Sequence, residues 1–163
     1  MTTSEELAGP SDAARGRLLD GIGLLARLTL GVVLLWAGLA KVPNPQASVR
    51  AVQAYRILPG GLTGPVGHGL PVLEIVVGLL LILGMWTRLT AAVGLLLMVA
   101  FLAGISQAWA RGLSIDCGCF GGGGLVAASR TRYPLELARD TGLALGGVWL
   151  VWRPRTLLAL GGP

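Results

Sequence analysis

The sequence predicts an all-α, polytopic membrane protein, built as a bundle of four transmembrane helices with a short interfacial helix in its first outer loop. Two observations predict this class. Only 13% of the 163 residues are charged, whereas about a quarter are in a soluble domain, and the mean hydropathy is +0.72. Long apolar runs also recur, and roughly 20 apolar residues in a helix span a hydrocarbon core of about 30 Å.

Four segments are predicted to cross the membrane. The apolar run over 70–110 is too long for one span, and its break at 84–88 fits a tight turn between two. The predicted spans cover residues 18–40, 66–86, 89–110 and 135–152. The fourth is the least apolar because three charged residues lie in its first turns: Glu136, Arg139 and Asp140.

The spans leave two long connections, which four crossings place on the same side of the membrane. The first begins with Pro43-Asn44-Pro45, which ends the first helix. Residues 46–58 then mix apolar and charged side chains, which predicts a short helix lying in the interface. The membrane domain is predicted over 18–153, between a disordered cytoplasmic tail at 1–17 and a C-terminal tail at 154–163.

The net charge of +5 and the pI of 10.2 could suggest nucleic-acid binding. The arginines, however, mostly flank the predicted spans, so the expected partner is the lipid bilayer and no nucleic acid. The basic residues are almost equally numerous on the two predicted membrane faces, so their distribution does not indicate which face is cytoplasmic.

Cys117 and Cys119 are the two cysteines of the chain, in the second connection, and a single residue separates them. The alpha carbons of residues i and i+2 can approach within the roughly 4.4–6.8 Å that a disulfide requires. Gly118 makes the small ring of a Cys117–Cys119 disulfide easier to close, because glycine adopts backbone conformations that other residues disfavour. A small ring adds little stability, and strained disulfides are the catalytic or regulatory ones. The pair therefore favours a reversible disulfide, and we place it outside because disulfides persist in oxidising compartments.

Two other interpretations of the cysteine pair stay open. The cysteines could be small buried hydrophobes with no joint role. They could also bind a soft ion such as Cu(I). Zinc needs four ligands and His68, the one histidine, supplies only one more, so we assign no metal.

Arg27 and Glu74 are charged residues predicted inside the membrane. Counted from opposite faces, they lie roughly 13 Å and 12 Å deep by helical rise, which predicts that they pair. The pair would be a structural salt bridge or part of a polar pocket or proton path. If a quinone reoxidises the cysteines, we expect it to dock between the helices near these two residues.

Three more polar residues are candidates beside the cysteines. Arg139 and Lys41 either are ordinary end residues whose charges reach the interface, or they lower a cysteine pKa, since a nearby cation favours the thiolate. Tyr55, in the predicted interfacial helix, is positioned to cover or assist the cysteine loop.

The order of these motifs resembles a known family, the MauE branch (methylamine utilisation protein E) of the DoxX-like membrane proteins. The resemblance extends from about Leu18 to Trp152. It rests on Arg27, Trp36-Ala37-Gly38-Leu39-Ala40-Lys41, Tyr55 with Leu58-Pro59, Leu70-Pro71-Val72-Leu73-Glu74, Cys117-Gly118-Cys119-Phe120-Gly121 and Arg139. One departure is the run of glycines at 121–124, which is longer than the family pattern leads us to expect.

The resemblance implies a four-helix protein of the inner (plasma) membrane with its cysteines on the outer face. It implies thiol–disulfide oxidoreductase activity, or an accessory role in it, with a thioredoxin-like partner. The expected role is to support disulfide formation or electron delivery in exported proteins, with a quinone as the conceivable cofactor. The alternatives are a non-enzymatic membrane scaffold or complex subunit, and a Cu(I)-handling protein.

Overall fold

The structure is a computed structural model and describes residues 10–160. Its regular structure is almost entirely helical, which confirms the all-α prediction. The helices are α1 (Pro10–Lys41), α2 (Pro45–Ala54), α3 (Gly60–Leu83), α4 (Thr87–Ala110) and α5 (Tyr133–Trp152). Between α4 and α5 lie two short antiparallel strands, β1 (Ile115–Asp116) and β2 (Gly124–Leu125), and a 3₁₀ turn at Ala128–Arg130.

Within residues 10–160, three helices are long and apolar enough to cross a membrane, namely α1, α3 and α4. The protein is therefore a multi-pass membrane protein. α5 has 20 residues but carries Glu136, Arg139 and Asp140 in its first half, so a fourth crossing stays a prediction. α1 begins at Pro10, upstream of the predicted end of the N-terminal tail at residue 17, while residues 1–9 lie outside the described part.

Local chemistry explains the ends of the helices around α2 and α3. The Asn44 side chain caps α2 by accepting a hydrogen bond from the Ala47 N–H at 3.1 Å, with Pro45 in the first turn. α3 ends at Gly84, whose φ of +69° is the left-handed conformation that terminates many helices. α4 follows after a tight turn, as the break at 84–88 predicts.

The long helices form a bundle in which α1 packs on α3 and α5, and α4 packs on α3 and α5. The approach of α1 to α3 is close because glycines face each other. A Cβ added at Gly78 would lie 2.6 Å from the Leu35 nitrogen and 2.8 Å from the Gly31 oxygen. One end of the bundle holds the C-terminal ends of α1 and α4 and the N-terminal ends of α3 and α5. We call it the cysteine end.

A leucine in place of Gly78 tests this contact. We expect Gly78→Leu to destabilise the protein by about 1–3 kcal/mol or more, because the added side chain meets backbone atoms of α1 that cannot move aside. The measurement is thermal or SDS-induced unfolding of the purified protein in detergent. Gly69→Leu is the matched control, since an added Cβ there has open space on the same helix. Equal stability of the two variants would contradict the close α1–α3 contact.

Candidate functional site

Cys117 and Cys119 lie in the loop of the hairpin that β1 and β2 form. Ile115 pairs with Leu125 and Asp116 with Gly124, so the chain reverses across the cysteines. Both cysteines are free thiols. Cys117 is partly exposed, whereas Cys119 is only 7% exposed. The Cys119 N–H donates to the Cys117 sulfur at 3.4 Å, so the turn brings the two residues together.

Glycines allow this loop to pack tightly against the helices. Gly118 has a φ of +71°, and its N–H donates to Asp116 Oδ1 at 2.9 Å. Gly121 has a φ of +85°, and a Cβ there would overlap the backbone carbonyl of Ala40 at the end of α1. At Gly121, the start of the long glycine run, both the backbone conformation and the space exclude a larger residue.

A buried ion pair between Lys41 and Glu74 anchors the hairpin at Cys119. The Lys41 ammonium donates to Glu74 Oε1 at 2.8 Å, to Glu74 Oε2 at 2.7 Å and to the Cys119 carbonyl at 3.1 Å. The side chains of Lys41 and Glu74 are 5% and 0% exposed. An ammonium has three donors, and all three are used here. α1, α3 and the backbone of Cys119 are therefore tied together at one point.

The predicted pair between Arg27 and Glu74 is wrong. Arg27 donates to Thr156 Oγ1 at 2.9 Å and to the Leu158 carbonyl at 3.2 Å, in the segment after α5. It lies level with Gly84, ten residues beyond Glu74 on α3, or about 15 Å by helical rise. Because Glu74 is fully buried against Lys41, these residues do not frame the predicted quinone site either.

Two tyrosines also hold the hairpin, through hydrogen bonds between their hydroxyls and backbone groups. The Tyr55 hydroxyl, just after α2, donates to the Cys117 carbonyl at 3.1 Å. Burial raises the pKa of Tyr55 above its ordinary value, so it stays a neutral donor. The Tyr133 hydroxyl, at the start of α5, accepts from the Ile115 N–H at 3.0 Å and donates to the Leu113 carbonyl.

Arg139, on α5, lies beside the hairpin. Its guanidinium lies 4.9 Å from the centre of the Phe120 ring, next to Cys119, and pairs with Asp140 at 2.8 Å. The Phe120 ring also makes an edge contact with Trp36 of α1, with ring centres 6.2 Å apart. Arg139 is thus fixed by a carboxylate and by an aromatic face.

An open cavity of about 550 Å³ lies beside Cys117. Asp116, Glu136, Arg132 and Arg139 also line it. The Cys117 sulfur and carboxylate oxygens of Asp116 and Glu136 all lie within 4.8 Å of one another. Cys117 therefore faces a polar, accessible space, whereas Cys119 faces the interior.

The two thiols differ in acidity as well as in exposure. The pKa of Cys119 is lowered, chiefly because the Cys117 thiol hydrogen-bonds to its sulfur, and Arg139 and Lys41 lower it further. The pKa of Cys117 is raised by that same hydrogen bond and by burial. Ionisation of the pair therefore places the negative charge on Cys119.

The structure gathers most of the predicted site residues around the hairpin: Cys117, Cys119, Lys41, Tyr55, Glu74 and Arg139. Arg27 lies at the opposite end of the bundle. The sequence analysis missed Asp116 and Glu136 as site residues, and it counted Asp140 only among the charges of the fourth predicted span. A signal for Glu136 and Asp140 was present, because charged residues in the first turns of an apolar helix need partners or a cavity.

A sequence model of one protein family, described as methylamine utilisation protein MauE, matches residues 19–153. The chain belongs to the MauE family. This confirms the resemblance, and the matched range includes the hairpin and every residue described around it. Comparisons with curated proteins and with solved structures gave no match.

The Lys41–Glu74 contact of this MauE protein gives a double-mutant test. We expect Lys41→Met to destabilise the protein by about 3–5 kcal/mol, because it leaves a buried carboxylate without its partner. We expect the double variant Lys41→Met/Glu74→Met to recover much of that loss. The measurement is SDS-induced unfolding of all four forms.

Alkylation of Cys119 provides the control for a local effect. The rate of Cys119 alkylation is measured under folding conditions in a Cys117→Ser background. It should be higher when Lys41→Met is added, since the hairpin loses its anchor at the Cys119 carbonyl. Arg88→Met, which changes an exposed residue of α4, should alter neither stability nor alkylation. Additive effects of Lys41→Met and Glu74→Met would contradict the contact.

Proposed function

We propose that this MauE protein is a membrane thiol–disulfide redox protein that exchanges electrons between the Cys117–Cys119 pair and a thioredoxin-like partner. In this role it supports disulfide formation in exported proteins, as an oxidoreductase or as an accessory to one. The observation that carries the proposal is the asymmetry of the pair. One thiol faces an open cavity, and its neighbour is buried beside two cations.

The proposed function places the hairpin on the outer face of the inner membrane. In this arrangement α5 is the fourth span and α2 lies in the interface beneath the hairpin. The packing of the 20-residue α5 along α1 and α4 supports the first point. The buried face of α2, with Ala47, Val49, Ala51 and Ala54, and its exposed Arg50 support the second. The outer face is the compartment in which a disulfide persists.

The asymmetry assigns each cysteine a role in the exchange. A thiolate of the partner attacks the Cys117 sulfur of the disulfide, since this sulfur faces the cavity. The Cys117–Cys119 bond breaks, and Cys119 leaves as a thiolate. A low pKa makes a good leaving group, and Arg139 and Lys41, which lower the pKa of Cys119, remain beside it when Cys117 is bonded to the partner. The product is a mixed disulfide between Cys117 and the partner.

The second thiol of the partner completes the reaction. It attacks the partner's own sulfur in the mixed disulfide and releases Cys117, which takes up a proton because its pKa is raised. The partner is oxidised to a disulfide, and the Cys117–Cys119 pair has gained two electrons. Glu136, whose carboxylate lies within 4.8 Å of the Cys117 sulfur, is placed to deliver or accept this proton.

Two competing functions make different predictions for the same residues. A scaffold with inert cysteines requires no exchange with any partner thiol. A Cu(I)-handling protein requires stoichiometric metal that is lost when both cysteines become serine. At the cavity, Asp116, Cys117 and Glu136 offer one sulfur and carboxylate oxygens within 4.8 Å of one another, whereas Cu(I) prefers soft sulfur ligands, and this supports the redox function over the copper one.

The role of each cysteine can be tested with an activated partner. The probe is a thioredoxin-fold protein that retains its exposed cysteine alone, coupled to thionitrobenzoate as a mixed disulfide. We expect Cys119→Ser to release thionitrobenzoate and to form a covalent adduct through Cys117. Cys117→Ser should react at least ten times more slowly, because Cys119 is buried.

The double variant Cys117→Ser/Cys119→Ser is the control and should form no adduct on a non-reducing gel. Adduct formation through Cys119 alone would reverse the assigned roles. If neither single variant reacts, the redox function fails. Copper that copurifies stoichiometrically with the wild type and is absent from the double variant would favour the metal function instead.

A further inference from the structure

A groove runs between α1 and α5 on the outer surface of the bundle, with a volume of about 560 Å³. Its walls are apolar or small: Leu25, Ala26 and Val33 on α1, and Ala138, Gly142 and Gly146 on α5. Gly142 leaves the groove open, since an added Cβ would meet no atom within 4 Å. In the proposed membrane orientation this groove opens to the lipid.

Arg139 joins this groove to the cysteine site, because it lines both the groove and the cavity that holds Cys117. Its side chain is 29% exposed, so hydrogen-bond donors remain available there. The neighbouring Asp140 is 2% exposed, and within residues 10–160 its Oδ2 atom has no hydrogen-bond partner. An apolar groove thus has a cationic donor at one end, with a buried unpaired carboxylate oxygen beside it.

We propose that this groove binds a lipid-soluble quinone, which accepts the electrons of the Cys117–Cys119 pair. The inference rests on the proposed redox function. A pocket that is mostly apolar with a few polar groups suits a ligand with an apolar body and polar ends. A quinone has this form, with an isoprenoid tail for the apolar walls and a ring oxygen for Arg139. A lipid acyl chain would also fill the walls but could accept no electrons.

The reaction balances with a quinone as the oxidant. The two thiols lose two electrons and two protons and form the Cys117–Cys119 disulfide. The quinone takes up both electrons and both protons and leaves as a quinol. Arg139 donates a hydrogen bond to the ring oxygen, which attracts electrons toward the ring. This step regenerates the disulfide that the partner consumes in the proposed exchange.

Purified protein in liposomes, reduced and then freed of reductant, tests the proposal with a short-chain ubiquinone as the probe. We expect stoichiometric loss of the two thiols together with reduction of the quinone, followed by its ultraviolet absorbance. Gly142→Leu should slow both at least tenfold, since the leucine fills the groove without meeting backbone atoms. Ala100→Leu is the matched control, because it adds the same side chain to an exposed position on α4.

A second measurement does not depend on electron transfer. A photoreactive ubiquinone analogue should label α1 and α5 around the groove in the wild type and in Ala100→Leu, but not in Gly142→Leu. Unchanged labelling and unchanged quinone reduction in Gly142→Leu would overturn the proposed site. Absence of both in the wild type would overturn it as well.

The adduct assay separates this proposal from the function on which it rests. A Gly142→Leu/Cys119→Ser variant should still react with the activated thioredoxin-fold protein. If the cysteines form that adduct but no quinone is reduced or bound, the quinone site alone fails. If the adduct fails with both cysteine variants, the redox function fails with it.

Discussion

The cysteine end of the protein depends on one buried contact, between the Lys41 ammonium, the Glu74 carboxylate and the Cys119 carbonyl. A charge in the membrane interior is costly unless it has a partner, and each of these two charges is the other's partner. The contact joins the end of α1 to α3, where opposed glycines already bring the two backbones close. Since the third donor of Lys41 goes to the hairpin, the helix pair and the cysteine loop are positioned by the same interaction. Neither can shift without leaving a buried polar group unsatisfied.

The difference between the two thiols follows from these anchors. Lys41 holds the Cys119 backbone toward the bundle, while the Tyr55 hydroxyl holds the Cys117 carbonyl and leaves its sulfur at the cavity. Arg139, fixed between Asp140 and the ring of Phe120, adds a second cation on the Cys119 side. Two thiols one residue apart would be nearly equivalent in a flexible loop. In this hairpin, one thiol is accessible, while the other is buried and its pKa is lowered, first by the hydrogen bond from Cys117 and then by Arg139 and Lys41, as the proposed exchange requires.

The helical class and the tight turn at 84–88 could be predicted from the sequence, because hydropathy and turn-forming residues are local properties. The partner of Glu74 could not. Counting depth from Leu18 assumed that α1 begins at the membrane face, whereas α1 begins at Pro10 and extends beyond the α3–α4 turn. Arg27 is therefore level with Gly84, and Lys41, which looked like an end residue, is the one that reaches Glu74. Helix register sets such pairs, and register depends on packing between Gly31, Leu35 and Gly78, which no single segment reveals.

The polar start of α5 shows how the requirements of a site can weaken a hydropathy signal. Glu136, Arg139 and Asp140 put three charges in the first half of α5, so that length and composition alone do not identify it as a span. Yet each of the three has a place at the cysteine end: Glu136 beside the Cys117 sulfur, Arg139 between the cavity and the groove along α1 and α5, and Asp140 buried against Arg139. A more apolar helix would cross a membrane more readily but would offer the thiols no cation and no carboxylate. The same three residues therefore keep α5 from being identified as a span by its composition and supply the charged groups beside the thiols.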